Sequence, residues 1–502
     1  MHQETEKEIQ DIEARLKTLP KGTLTYKKIN GKEQPYLQWN EKGHIKSVYI
    51  KLKEREQILV ELEEREQLQR RIKYLRQYAS RITEILMGNP FLANTPGIGY
   101  QDFETIIKEN MFYVDKTSFI SQWWESKAQV TLITRPRRFG KTLMLSTVNC
   151  FFSTLYQNRH DLFQRLFIWK TPDYRKLQGS MPTLFLSFAA VKDVDYPSAI
   201  KTISYSMLQL YDQFQFLISD DRLDANDKKT YSDMREELRQ AKEDSCCFAL
   251  HALCSLLHKY YGKKVIVLLD EYDTPMQEAY SNGYLPQIKT FMRKLFHLTF
   301  KTNASLEKGL ITGITRITKE SVFFDINNIS VCSLTSAKYA ECFGFTEKEV
   351  FDSLECQETE EKQAVKEWYD GFTIGGQKDI YNPWTITNYL AERRFRPYGA
   401  NSGGYGLLER LFLQESNEMK SDLENLLKGE AVEKTIDESL AFEELEQNPG
   451  AFWTLLLSAG YLKADDVVFG EELHCKLSVT NKETMLFFQN MVNNWFRKVS
   501  ST

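Results

Sequence analysis

The run VTLITRPRRFGKTLMLS, Val130 to Ser146, sets a glycine, a lysine and a hydroxyl side by side between an apolar segment and a helix-like one. Backbone N–H groups at a helix N-terminus converge on an anion, a lysine adds charge at the outer phosphates of a polyphosphate, and a hydroxyl helps to hold Mg2+. Gly140, Lys141 and Thr142 supply those parts, with Leu143 next to them. Where the common Gly-x-x-x-x-Gly-Lys-[Ser/Thr] pattern has its first glycine, this chain has Arg135. Pro136 pushes Arg135 toward extended geometry and fixes its own φ, so the strand can run one residue further without a glycine. Arg135, Arg137 and Arg138 add guanidinium forks suited to a polyphosphate, and Phe139 completes the turn. Taken alone, the stretch also fits a basic turn between a strand and a helix.

A second stretch, KKVIVLLDEYD from Lys263 to Asp273, is an apolar run ending in two carboxylates. Metal-assisted phosphoryl transfer needs such a pair: Asp270 to hold Mg2+ through water, and Glu271 to orient or deprotonate the attacking water. A solvated turn after a core strand would explain Asp273 equally well, but not the joint presence of both stretches in this order. In GLITGITRITKES, Gly309 to Ser321, Thr312 is placed to sense an outer phosphate from the end of a neighbouring strand, and Arg316 to neutralise charge on the transferring group.

These residues need a scaffold. Apolar runs VTLIT, TLFLSF, VIVLL and GLITGI alternate with long helical stretches, which predicts a mostly parallel α/β sheet covered by helices. From about Leu334 the strands thin out, and WTLLLSAGYLKADDVVFGEELHCKLSV reads as a helix followed by a hairpin, the end of a winged-helix arrangement. The chain of 502 residues divides, on this reading, into 1–90, 98–333 and 334–502, with the proline- and glycine-bearing MGNPFLANTPGIGY as a linker.

The first ninety residues differ in kind. Residues 3 to 18 predict a short charged helix, and GTLTYKKINGKEQPYLQWNEKGHIKSVYI a β-meander turning at Asn30-Gly31 and Lys42-Gly43. From Lys53 a long helix spaces Leu68, Ile72, Leu75, Ala79, Ile82 and Leu86 by fours and threes, a seam that needs a partner helix. Between Pro20 and Met87, 15 Lys/Arg face 9 Asp/Glu, so any nucleic-acid contact belongs here, although lysines on an amphipathic helix are more often a solvated face. Packing against a protein partner through the long helix is the favoured use.

The net charge of −4 points away from strong nucleic-acid or membrane attraction for the whole molecule. The eight cysteines include no Cys-x-x-Cys pair, which reads as a reducing cytoplasm, and no apolar run approaches the ~18 residues that span a bilayer. Cys247, His251, Cys254 and His258 share a helix face, but spread over more than about ten ångströms and cannot all reach one metal ion.

FYVDKTSFI, LITRPRRFGKTLMLS, VIVLLDEYDTPM, LITGITRITKESVFFDINNI, FGFTEKEV, WYDGF and YNPWTI together resemble the successive motifs of the bacterial AAA-ATPase-like family, over about Ile98 to Trp495. Arg135 belongs to that family's own Arg-Pro-Arg-Arg version of the loop. The resemblance implies an ASCE-type P-loop NTPase core with ATP and Mg2+ as ligands, a helical and winged-helix-like region behind it, and Phe112 to Lys116 near the nucleotide, a stretch that also reads as a capped helix start. The chain departs from the family at Pro397, where PYGANSG replaces a usual Tyr-Trp-x-Asn-Thr, and at Thr480-Asn481, where Pro-Asn is usual. Family members often carry a C-terminal PD-(D/E)XK nuclease-like domain; after Gly460 no Glu-x-Lys triplet occurs, so neither DNA cleavage nor C-terminal DNA binding is expected. The function expected is Mg2+-dependent ATP hydrolysis driving a conformational change. The alternative is a nucleotide-gated switch with negligible turnover, in a DNA-processing or defence system.

Overall fold

The computed structural model describes the chain apart from residues 1–11, 30–31, 42–43, 52, 63, 66–67, 69–71, 73–90, 93–94, 316–322, 324–325, 355–358, 400–407, 409–410, 412–416, 438–444, 446–447, 449, 470–472 and 501–502. It divides into two compact units, Met1–Asn89 and Pro90–Thr502. Among the described residues no helix is long and apolar enough to cross a membrane.

In the first unit β1 (Thr23–Ile29), β2 (Lys32–Glu41) and β3 (His44–Tyr49) form an antiparallel meander with Tyr36 opposite both Thr25 and Tyr49. The two expected turns lie outside the described residues. Residues 12–18 are helical, and they supply a partner for the seam: Ile12 and Ile72 are buried together, with Leu16 and Leu68 beside them. Arg15 grips Glu64 through two hydrogen bonds of 2.7 and 2.8 Å, and Arg65 donates to the carbonyls of Leu16 and Leu19. At Leu68 and Ile72, therefore, the apolar stripe is covered from within the chain; Leu75, Ala79, Ile82 and Leu86 lie outside the described residues.

The second unit begins with β4 (Phe91–Leu92), which pairs antiparallel with β5 (Tyr113–Val114), so part of the expected linker is strand. Its centre is a five-stranded parallel sheet: β6 (Val130–Thr134), β7 (Thr183–Ser187), β8 (Val265–Asp270), β9 (Leu306–Gly313) and β10 (Ile329–Cys332), in the order β10-β6-β9-β8-β7. This is a P-loop NTPase-like α/β fold. β6 and β8 are buried along their whole length, which explains their unbroken apolar runs, since both faces of a parallel sheet are covered. Against one face, with Ile133, Ile266, Leu268 and Leu310, packs α1 (Lys141–Phe152). Against the other, with Leu132, Leu186, Val267 and Ile311, pack α2 (Tyr196–Asp212), α3 (Glu243–Tyr261) and α5 (Leu285–Phe296), and α4 (Thr274–Asn282) follows the end of β8.

The strands do not thin out after Leu334 as expected. Two three-stranded antiparallel sheets follow: β11 (Phe345–Thr346), β12 (Phe372–Ile374) and β13 (Gln377–Tyr381) in the order β11-β13-β12, then β14 (Val432–Ile436), β15 (Leu462–Phe469) and β16 (Leu473–Val479) in the order β14-β16-β15. The first sheet escaped the sequence because its strands are too short to show alternation; its one clear signal is Gly375-Gly376, both at positive φ in the β12–β13 turn. Helix α6 (Pro383–Glu392) leaves β13, α7 (Asn417–Leu427) precedes β14, α8 (Ala451–Ser458) precedes the β15–β16 hairpin, and α9 (Lys482–Ser500) ends the unit. The helix and hairpin read from the sequence are thus present, with β14 completing their sheet.

Gly309 marks a place where packing over the sheet is tight. A Cβ there would lie 2.7 Å from the buried ring of Phe300 and 3.3 Å from Val130. Gly309→Ala is expected to destabilise the fold by about 1–3 kcal/mol, the usual cost of overpacking, read as a lower urea midpoint with an unchanged slope.

Candidate functional site

The register of the parallel sheet brings the expected chemistry to one edge. Ile133 lies opposite Thr312 and Thr134 opposite Gly313, while Leu269 lies opposite Ile311, so the loop after β6, the hydroxyl of β9 and the acidic end of β8 meet at the carboxyl ends of the strands. In open α/β sheets that is where ligands bind. Arg135 N–H donates to Gly313 O at 3.2 Å, so the β6 ladder does run one residue past its last strand residue before Pro136 turns the chain.

Asp270 is buried, and each of its oxygens takes a hydroxyl: Thr142 Oγ1 donates at 2.7 Å and Thr312 Oγ1 at 2.6 Å. Lys141 is also buried, its Nζ donating to the carbonyls of Arg135 and Pro136 at 3.0 and 2.8 Å, so its ammonium braces the loop from inside. Burial brings the Lys141 pKa down to about 8, against the opposing pull of Asp270, Asp273 and Glu271. Gly140 caps α1 at φ 80°, and nothing lies within 4 Å of where its Cβ would stand, so here the glycine serves the left-handed turn itself. Two non-glycine residues beside it are also left-handed, Arg138 at φ 67° and Glu271 at φ 50°. Such strain costs about 1–3 kcal/mol per residue and persists where the surroundings over-determine the backbone. Glu271 accepts from Thr274 Oγ1 at 3.2 Å.

Arg135 corrects the expectation of three phosphate-facing guanidinium groups. Its side chain is fully buried, with Nη1 donating to the carbonyls of Thr134, Cys332 and Ser333 at 2.8, 3.0 and 2.7 Å. It stitches the end of β6 to the end of β10. Pro136 packs on Gly460, where a Cβ would lie 3.2 Å from the proline Cβ. Phe139 is buried among Phe372, Ile374 and Ile380, with its ring 4.8 Å from that of Phe372. Arg138 stacks over Trp384 at 4.3 Å and donates to Tyr398 O at 3.3 Å. Arg137 accepts from Asn382 Nδ2 at 3.5 Å through its carbonyl, while its guanidinium has no hydrogen-bond or ion-pair partner among the described residues. It lines a cavity of about 720 Å3, together with Arg138 and the stretch from Phe139 to Leu143.

That volume falls within the range of small-molecule sites. Its lining combines apolar residues, among them Ile98, Tyr100, Phe112 and Phe345, with polar ones such as Lys192, Glu271, Thr274 and Gln277. Within FYVDK both sequence readings have a residue. Phe112 and Lys116 line the cavity, while Asp115 accepts from the N–H and hydroxyl of Thr117 at the start of the next helix. Arg316 lies outside the described residues.

Asp273 was passed over as a residue a solvated turn would explain, yet it is buried. Its Oδ2 accepts from the N–H groups of Ile314 and Thr315, the Thr315 hydroxyl and Gln277 Nε2, all at 2.9–3.0 Å. It fixes the turn that follows Thr312. The available signal was its place in VIVLLDEYDTPM, between two carboxylates and a helix start. Cys247 and Cys254 are core residues of α3, their thiols pushed up to about 12 by burial.

Residues 97–323 match a family model described as Predicted AAA-ATPase, which takes in the loop, both carboxylates and β9. The segment is similar in this way to the AAA-ATPase-like family. Residues 2–59 match a second model, a domain of unknown function (DUF6788). An uncharacterized protein in the vnfD 5' region of Azotobacter chroococcum mcd 1 is 27% identical over 374 residues, 74% of this chain; the match spans 64% of that relative's length. The similarity therefore reaches beyond the AAA-ATPase-like segment, into the chain that holds the loop.

If Arg135 is structural, Arg135→Met leaves several buried carbonyls without a donor. It is expected to cost about 2–4 kcal/mol of stability, whereas Arg137→Met, which removes no side-chain hydrogen bond among the described residues, leaves the melting curve unchanged. Equal melting temperatures for the two variants would contradict the assignment.

Proposed function

We propose that this cavity binds a nucleoside triphosphate, expected to be ATP, with Mg2+, and hydrolyses it. The observation that carries the reading is the convergence of Lys141, Thr142, Asp270 and Thr312 at the carboxyl edge of the sheet. In this reading the backbone N–H groups from Arg138 to Thr142, the Lys141 ammonium and the Arg137 guanidinium hold the phosphates. Lys141 now donates to two carbonyls of the loop and would exchange them for phosphate oxygens. Thr142 and Asp270 would hold Mg2+, directly and through water; a hydroxyl and a carboxylate are the hard oxygen donors that ion takes. When bound, the ion neutralises charge developing on the phosphates.

Glu271 follows Asp270 at the end of β8, and its left-handed backbone turns it toward the cavity it lines. We assign it to orienting and deprotonating the attacking water. Thr312, one strand nearer the loop, would report the outer phosphate through its bond to Asp270, and Arg316 would act in the transition state. The packed rings of Phe112 and Phe345 in the lining suit the base. Coupling of turnover to movement of the chain after residue 333 completes the proposal.

Phosphate release measured for the wild type, Glu271→Gln and Lys141→Ala tests this reading. The wild type should turn over with Mg2+; Glu271→Gln should still bind ATP but lose about 10²-fold or more of the rate; Lys141→Ala should lose tight binding. ATP binding with the same negligible release in the wild type and Glu271→Gln would identify a nucleotide-gated switch instead.

A further inference from the structure

The Arg138 side chain leaves the loop for a junction that also holds a buried carboxylate the reaction does not use. Glu483, in the first turn of α9, is 5% exposed. Its Oε1 accepts from the N–H groups of Tyr398 and Gly399 at 2.6 and 2.8 Å, and its Oε2 from Thr385 Oγ1, on α6, at 2.9 Å. One side chain thus ties together α6, the segment at 398–399 and α9. The carbonyl of Tyr398 completes the junction, accepting from Trp384 Nε1 at 3.0 Å and from Arg138. Burial pushes the Glu483 carboxyl up, opposed first by its hydrogen bonds from Gly399, Thr385 and Tyr398 and then by the Arg138 charge; burial likewise lowers Arg138, and Glu483 opposes it.

Arg138 also lines the cavity, one residue from Arg137 and two from Gly140. Its backbone is left-handed, its guanidinium sits 4.3 Å from the centre of the Trp384 ring and it donates to Tyr398 O, so it is held to the junction rather than aimed at the loop. An anion seated on the N–H groups of the loop competes for the same guanidinium. Arg138 and Glu483 meet through Tyr398, whose carbonyl takes Arg138 and whose N–H donates to Glu483; a buried carboxylate from which a neighbouring positive charge is withdrawn becomes costlier, and admitting water relieves that cost.

Resting on the nucleotide reading above, we propose that Arg138 is a shared cation: phosphate in the loop draws it from Trp384 and the Tyr398 carbonyl, and the junction of α6, residues 398–399 and α9 loosens. Arg138 is here a positioning residue, and the nucleotide state reaches the C-terminal elements through it. By reciprocity, whatever weakens its hold on the junction strengthens its hold on phosphate.

Hydrogen exchange at the amides of Tyr398 and Gly399, with calorimetry of Mg·ATP and of tripolyphosphate, tests this in the full chain. In the wild type both ligands should speed exchange at these amides about fivefold or more, the lower range of allosteric coupling. Glu483→Gln keeps the acceptor oxygen without the charge; it should bind ATP several-fold tighter, and its 398–399 amides should no longer respond. A merely structural Glu483 would instead give weaker or equal binding, which overturns the proposal, as does a wild type that binds ATP with no change at these amides. Should Glu483→Gln fail to fold, Arg138→Lys decides: with the planar stack on Trp384 gone, basal exchange at 398–399 should already be fast and ATP should add nothing, while an unaltered response overturns the proposal. A wild type that binds no nucleotide by calorimetry overturns the nucleotide reading itself.

Discussion

The anchoring of the loop side chains in chain that follows residue 331 is the constraint on which the rest of this structure depends. A glycine-rich phosphate loop gains its shape from freedom of φ. Here the shape is imposed from outside. Arg135 is fastened to the end of β10, Pro136 to Gly460, Phe139 to β12 and β13, and Arg138 to Trp384 and Tyr398. The left-handed backbone at Arg138 is tolerable because these contacts over-determine it. An Arg-Pro-Arg-Arg sequence can therefore stand where a glycine is usual, at the cost of making the loop dependent on the C-terminal elements. The AAA-ATPase-like segment and the chain behind it share one piece of machinery.

A second constraint follows from the sheet. With β9 inserted between the loop strand and the acidic strand, Thr312 sits beside Asp270, whose second oxygen takes the Thr142 hydroxyl. Each hydroxyl donates to a separate oxygen, so the carboxylate is held in one orientation by both neighbouring elements. Asp273 does the same for the following turn, and Gly313 leaves room for it: a Cβ there would lie 2.5 Å from the Tyr272 ring and 2.8 Å from Asp273. The arrangement positions Asp270 by backbone register and two small hydroxyls, while Asp273 also takes the Gln277 amide.

Much of this was legible in the sequence because the relevant signals are local. The unbroken apolar runs of β6 and β8, the Gly140-Lys141-Thr142 turn and the adjacent carboxylates each fit within a dozen residues. What escaped was non-local. Arg135 looks like a phosphate ligand until the carbonyls of Cys332 and Ser333 are brought to it across nearly two hundred residues. Asp273 looks solvated until Ile314 and Thr315 fold over it, and Glu483 carries no local signal at all. The sheet of β11 to β13 escaped for a different reason, since strands of two to five residues hold too little alternation to be read.

The measurement that tests the account most directly is a crystal structure of the full chain with Mg·ADP. It should show the β-phosphate on the N–H groups between Arg138 and Thr142, Lys141 Nζ moved from the carbonyls of Arg135 and Pro136 onto that phosphate, and the Arg135 guanidinium still on Cys332 and Ser333. A nucleotide bound away from the loop, or an Arg135 side chain turned out to meet the phosphate, would contradict it.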